Sequence, residues 1–238
     1  SLLALGFLMR RRRALGAIVA GLTVSGSGLA QDDLGLNAQR FSPSVDGRTF
    51  VTLEDDELAP AWSFGGGLWV NHANDPFVYR PDNDTLDETA ILSAVTTASV
   101  VASYSFGPVR VGIDVPVHLQ TAGYNIDRIV NSGDTRLSIK GAFLRAPVGS
   151  VELGLGGVLD TTFPTGSPKA WVGSKRVGAK MAAISSLRWN NLVAVANIGA
   201  RSGTGQVVAD LKVASALEWG VGASYFFTKS IWATAELE

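Results

Sequence analysis

The chain has 238 residues, with 20 Lys and Arg against 21 Asp and Glu, and a net charge of −1 leaves no basic footprint for nucleic acid. It contains no Cys, which excludes disulfides, thiolate metal sites and a cysteine nucleophile. Charged residues make up only 17% of it, and its mean hydropathy of +0.21 is high for a soluble β protein.

Taken from the N-terminus, residues 1–30 read as upstream sequence plus a secretory leader. Met9 precedes Arg10, Arg11, Arg12 and Arg13, then an apolar run over 14–24, then small residues ending in Gly28, Leu29 and Ala30. That order of basic, apolar and small-residue regions is the signal-peptide pattern, with a mature start at Gln31, and 1–8 would be sequence upstream of the true initiator. The run is too short and too rich in Gly and Ser for a membrane-spanning helix. Residues 31–61 form a polar lead-in placed in the periplasm. Its acidic run, Glu54, Asp55, Asp56 and Glu57, reads as a solvated turn rather than a cation site.

From Trp62 to Glu238 nine strand-like segments follow, joined by links that alternate short and long. The short links are Gly107-Pro108, Arg145 to Ser150, Asn190-Asn191 and Thr228-Lys229-Ser230; the long ones are about 72–90, 122–133, 163–175 and 203–213. Outer-membrane barrels have this asymmetry of tight periplasmic turns and long extracellular loops. Within 109–120 the odd positions are Val109, Val111, Ile113, Val115, Val117 and Leu119, and the even ones Arg110, Gly112, Asp114, Pro116, His118 and Gln120. Successive strand residues point to opposite faces, so one face is apolar and the other polar or small. Segments 136–143, 151–160 and 217–227 alternate likewise. Segment 92–106 is noisier, with Leu92, Ala94, Ala98, Val100, Ala102, Tyr104 and Phe106 assigned to the apolar side.

Periodicity alone leaves two solvents open for the apolar face: lipid, or a second sheet in a secreted soluble β-sandwich that binds a ligand or surface. Segment length favours lipid, since a tilted strand needs roughly 9–11 residues to cross a bilayer. So do Trp62, Trp69, Tyr104, Phe106, Trp189, Tyr225, Phe227 and Trp232, assigned to strand ends as an aromatic girdle. The expected fold is all-β: an antiparallel up-and-down transmembrane β-barrel over 62–238, nine strands visible, ten or more in the complete protein, because bacterial single-chain barrels have an even number.

Several phrases resemble one family. The lead-in QRFSPSVDGRTFVTLED (39–55), the aromatic strand after it, VGIDVPVHL (111–119), GDTRLSIK (133–140) and FPTG (163–166) are similar, in order and spacing, to the N-terminal barrel of OmpA-family outer-membrane proteins. The resemblance covers about 39–238. It implies outer-membrane residence in a Gram-negative bacterium, passive small-solute passage or envelope integrity, and peptidoglycan binding only through a further domain that these residues do not contain.

The polar face then lines the interior. Its candidates are Arg110, Asp114, His118, Arg136, Lys140, Glu152, Asp160, Lys180, Arg188, Arg201 and Glu218, with Glu236 a further one. Both signs are present, so a wide barrel would be a water-filled pore and a narrow one a plug of salt bridges. Pairing is expected between Lys140 and Glu152 and between Arg110 and Asp114. Gly112, Gly154, Gly156, Gly220 and Gly222 leave room or permit curvature, and Pro116 marks a bulge. No catalysis is expected: the only histidines are His72 and His118, and no GxSxG turn occurs. His72 with Asp75 lacks further metal ligands, SGTG (202–205) is no phosphate loop, and the acidic loop 80–88 does not match EF-hand spacing. Neither a metal nor a cofactor is expected; the partners would be outer-membrane lipid and small solutes.

Overall fold

The computed structural model describes residues 41–45, 49–79, 89–123, 126–128, 130–168, 171–203, 207–208, 211–212, 215–228 and 231–238, all within one compact unit, Leu34–Glu238. The leader expected over 1–30 and the acidic link expected over 80–88 lie outside the described residues.

Thirteen strands occur among them: β1 (Phe64–Tyr79), β2 (Thr89–Ser105), β3 (Val109–Gly123), β4 (Ile126–Arg128), β5 (Asn131–Ser132), β6 (Thr135–Val148), β7 (Val151–Phe163), β8 (Gly178–Trp189), β9 (Leu192–Arg201), β10 (Val207–Val208), β11 (Leu211–Lys212), β12 (Ala216–Phe226) and β13 (Trp232–Leu237). Nine of them pair in the order β1-β2-β3-β6-β7-β8-β9-β12-β13, each antiparallel to its neighbours, as an up-and-down sheet forming a half-barrel. The other four are short decorations of the long links: β4 and β5 fold back on β3, and β10 pairs with β11.

Local chemistry sets the turns. Gly107 at φ 85°, Gly149 at φ 64° and Asn190 at φ 50° occupy the left-handed region in three short links. Tight hairpins need that region, and Gly and Asn reach it most cheaply. Trp62 also lies there (φ 63°) and precedes β1, which begins at Phe64 rather than at the expected Trp62.

The alternation expected for 109–120 holds, and the buried side is the polar one. Arg110, Asp114, His118, Ser138, Lys140 and Asp160 are buried on one face, whereas Ile113, Leu119, Leu137, Ile139, Leu153 and Leu155 are exposed on the other. No second sheet covers the apolar face among the described residues. In β2 the pairing slips between Leu92 and Ala94 and again between Thr96 and Thr97. A slip of one residue exchanges the faces of everything beyond it. Leu92, expected outward, is therefore buried with Val95 and Val172, and Phe77 and Trp171 pack on them at the long-loop end.

The inner face at the short-turn end is filled by the lead-in. Far from being a solvated turn, the lead-in packs on the sheet over its described residues 43–45 and 49–56: Val45, Phe50, Leu53, Glu54, Asp55 and Asp56 all have less than a tenth of their surface exposed. Inward glycines make the space. A Cβ on Gly112 would lie 2.1 Å from Val45 Cγ1, one on Gly220 2.5 Å from Leu53 Cδ2, and one on Gly154 2.2 Å from Asp56 Oδ2. Phe50 and Leu53 join Val193 and Val195 in a small apolar cluster, with Phe226 against it.

Candidate functional site

The polar face of the sheet and the segment it holds form the candidate site. Period-2 alternation turns each candidate inward, and antiparallel register stacks candidates from neighbouring strands side by side. Arg110 stands opposite Lys140, Asp114 opposite Arg136, Asp160 opposite Lys180, Lys180 opposite Arg201, and Glu152 opposite Arg188.

Three groups result. Toward the long-loop end, Lys180 and Arg201 share Glu218, at 3.2 and 2.7 Å. In the middle, Arg136 bridges Asp114 at 3.3 Å and Asp160 at 3.4 Å, and its Nη2 donates to the Pro43 carbonyl. Ser138 Oγ donates to Asp160 at 2.5 Å, and His118 Nδ1 shares a 2.8 Å hydrogen bond with the Thr97 hydroxyl. At the short-turn end the cations meet the lead-in. Lys140 Nζ lies 3.0 Å from Glu54 and 3.2 Å from Asp55. Arg145 Nε reaches Asp56 at 2.8 Å and Arg188 Nη1 reaches it at 2.6 Å, while the Ser186 hydroxyl donates to the same carboxylate. Arg188 also lies 3.6 Å from both Asp55 and Glu57.

Asp56 is completely buried. Burial alone would raise its pKa. The hydrogen bonds from Ser186 and Arg188, the Arg188 charge and the bond from Arg145 outweigh that and hold the carboxyl below the usual carboxylate range.

The expected pairings change accordingly. Lys140 meets Glu54 and Asp55 of the lead-in rather than Glu152, which lies 3.7 Å from Arg188 and 3.9 Å from Arg145. Arg110 donates to the hydroxyls of Ser103 (2.7 Å) and Ser105 (3.2 Å) rather than pairing with Asp114. The reason is register: along one strand Arg110 and Asp114 are two inward positions apart, whereas β2 presents serines beside Arg110.

Glu236 is the most informative of the wall residues. It accepts from the backbone amides of Val51 (2.5 Å), Thr52 (2.9 Å) and Leu53 (3.1 Å), and from the Thr52 hydroxyl (2.7 Å). Three successive amides converging on one carboxylate make an anion nest, here formed by the lead-in around a side chain of β13. Further wall side chains hold the segment: Ser103 donates to the Val45 carbonyl, Ser224 to the Thr49 carbonyl, and the Asn197 amide both accepts from Glu54 N and donates to Glu54 O. Sequence reasoning missed Arg145 and Asn197. Arg145 falls in the expected short link Arg145 to Ser150, whereas β6 runs on to Val148 and the pairing shift between Ala142 and Leu144 turns Arg145 onto the inner face.

Six of the expected girdle aromatics cluster outside the short-turn end. Trp62 packs edge-on to Phe106, Tyr104 to Phe106 and Tyr225 to Phe227, and Trp189 is exposed beside its turn. Two do not. Trp69 is the sixth residue of β1, in register with buried Ser99, so it lies on the inner face. Trp232 is paired with Phe226, shares the inward parity of Glu236 and stacks on Phe226 at 6.1 Å. His72 is satisfied by the Thr96 hydroxyl (2.8 Å) and Asn74 (2.9 Å).

No protein-family model matches the chain, and neither a curated protein nor a solved structure matches it.

Proposed function

We propose that this is an outer-membrane β-barrel protein of the OmpA-like kind, serving envelope integrity or passive small-solute passage, with its interior closed at rest. The observation that carries the reading is the inversion of burial: Lys140 has 0% and Arg110 2% of its surface exposed, while Ile198 and Leu68 have 66% and Leu217 84%. In water such a surface would be a very large unprotected apolar patch. Against hydrocarbon it is the favourable arrangement, and eight of the nine strands have the 10–17 residues needed for a crossing. The external aromatics at the short-turn end fit an interfacial belt.

The closed state is supported by the seated lead-in and by the ion pairs above it. β1 and β13 both run from the short-turn end toward the long-loop end, so an all-antiparallel closure of the barrel takes an odd number of additional strands between them. The OmpA-like part of the proposal is carried by the ordered motifs over 39–238.

Membrane fractionation with heat-modifiable gel mobility tests the reading. The expected result is recovery with the membrane fraction, extraction only by detergent, and a faster-migrating folded band that shifts on boiling. Recovery in the aqueous fraction with mobility unchanged by boiling overturns it in favour of the soluble β protein.

A further inference from the structure

Resting on that membrane reading, we infer that the described lead-in residues 43–45 and 49–57 act as a displaceable acidic plug seated on an anion-attracting wall, and that its release makes the barrel a conduit for small anions.

The first support is how the segment is held. None of the described residues among 41–57 belongs to a strand. Its bonds to the wall run through wall side chains, from Arg136, Ser103, Ser224, Asn197, Arg145, Arg188, Lys140 and Glu236. The segment can therefore leave without breaking one rung of the sheet ladder. Its own Ser44 N to Val51 O hydrogen bond, 2.7 Å, ties the described parts 43–45 and 49–57 to each other rather than to the wall.

The second support is charge. In the short-turn half the wall presents Arg110, Lys140, Arg145 and Arg188, opposed by Glu152 and Glu236, an excess of two positive charges. The segment brings Glu54, Asp55, Asp56 and Glu57 to the same place, and Arg188 alone touches three of them. The acidic run thus occupies positions that a mobile anion would take. With the run displaced, Arg and Lys in a confined, low-dielectric lumen favour anions, the arrangement that selects for them in pores. The glycines at 112, 154 and 220, seats for Val45, Asp56 and Leu53, then become free volume along the wall.

The experiment uses protein refolded into lipid vesicles and planar bilayers. Because the chain has no native Cys, a Val45→Cys/Gly112→Cys pair gives a reversible lock: a Cβ on Gly112 would sit 3.4 Å from Val45 Cβ, close to the roughly 3.5–4.5 Å of a disulfide. A Glu54→Gln/Asp55→Asn/Asp56→Asn variant weakens the seat. Expected are steady currents in the triple variant, a reversal potential displaced toward that of chloride in a KCl gradient, and their loss when the Cys pair is added and oxidised, with recovery on reduction. A triple variant that inserts and stays silent, conducts cations, or conducts equally with the lock closed overturns the inference. So does one that cannot insert while the oxidised Cys-pair protein can, because the segment is then part of the fold. Failure of the unmodified protein to enter vesicles overturns the membrane reading instead.

Discussion

Gly154 and Asp56 show how finely the inner face is fitted. A methyl at 154 would lie 2.2–2.5 Å from the Asp56 carboxylate atoms, which are pinned by Arg145, Arg188 and Ser186 and cannot swing aside. Gly154→Ala is expected to cost about 1–3 kcal/mol through overpacking, read as a lower urea midpoint for loss of the folded gel band. Asp56 itself makes stability depend on pH. Its folded pKa is depressed below the ordinary 3.8, so its contribution is complete above that value and is lost as pH falls through the lower folded value. Acid titration of the folded band should show this limb, and Asp56→Asn should flatten it. An acid limb unchanged in the Asn variant would assign the pH dependence to other carboxylates. None of this fit was legible beforehand. An acidic run beside Pro60 carries the same composition whether it meets water or arginine, and only the three-dimensional register of β6, β7 and β8 puts Arg145, Gly154, Ser186 and Arg188 around it.

Strands were far more legible than the residues that fill them. A period of two over Val109 to Leu119 survives any detail of packing, because one face must be apolar throughout. The alternation fails where the pairing is interrupted, at Leu92 beside the slips in β2; Arg145, read as part of a link, lies on β6 beyond the slip between Ala142 and Leu144, and Trp69, read as a strand-end girdle residue, lies well inside β1 on its inner face. The choice of solvent is the point at which an element-scale prediction decides most. Leu155, about half exposed on β7, faces the bilayer in the proposed state. Leu155→Arg, and likewise Ile113→Arg, should then cost about 2–4 kcal/mol if these positions lie near the membrane midplane. On a water-facing strand the same changes would stay within about 0.5 kcal/mol. Unfolding of the two variants in detergent–lipid mixtures distinguishes the cases.

At the scale of the whole molecule, the lead-in is tied to the last described strand. The Val51 amide meets the Glu236 carboxylate across 185 residues of sequence, a contact whose loop-closure cost must be met before it returns anything. Every neighbouring strand has to be in register before Glu236 arrives at that position, so the nest around it is a late event in assembly. A sheet halted or slipped partway leaves the acidic segment unclaimed, with its backbone open to cleavage by proteases. The same contacts that fill the finished interior therefore make protection of that segment from added protease a readout of a completed sheet.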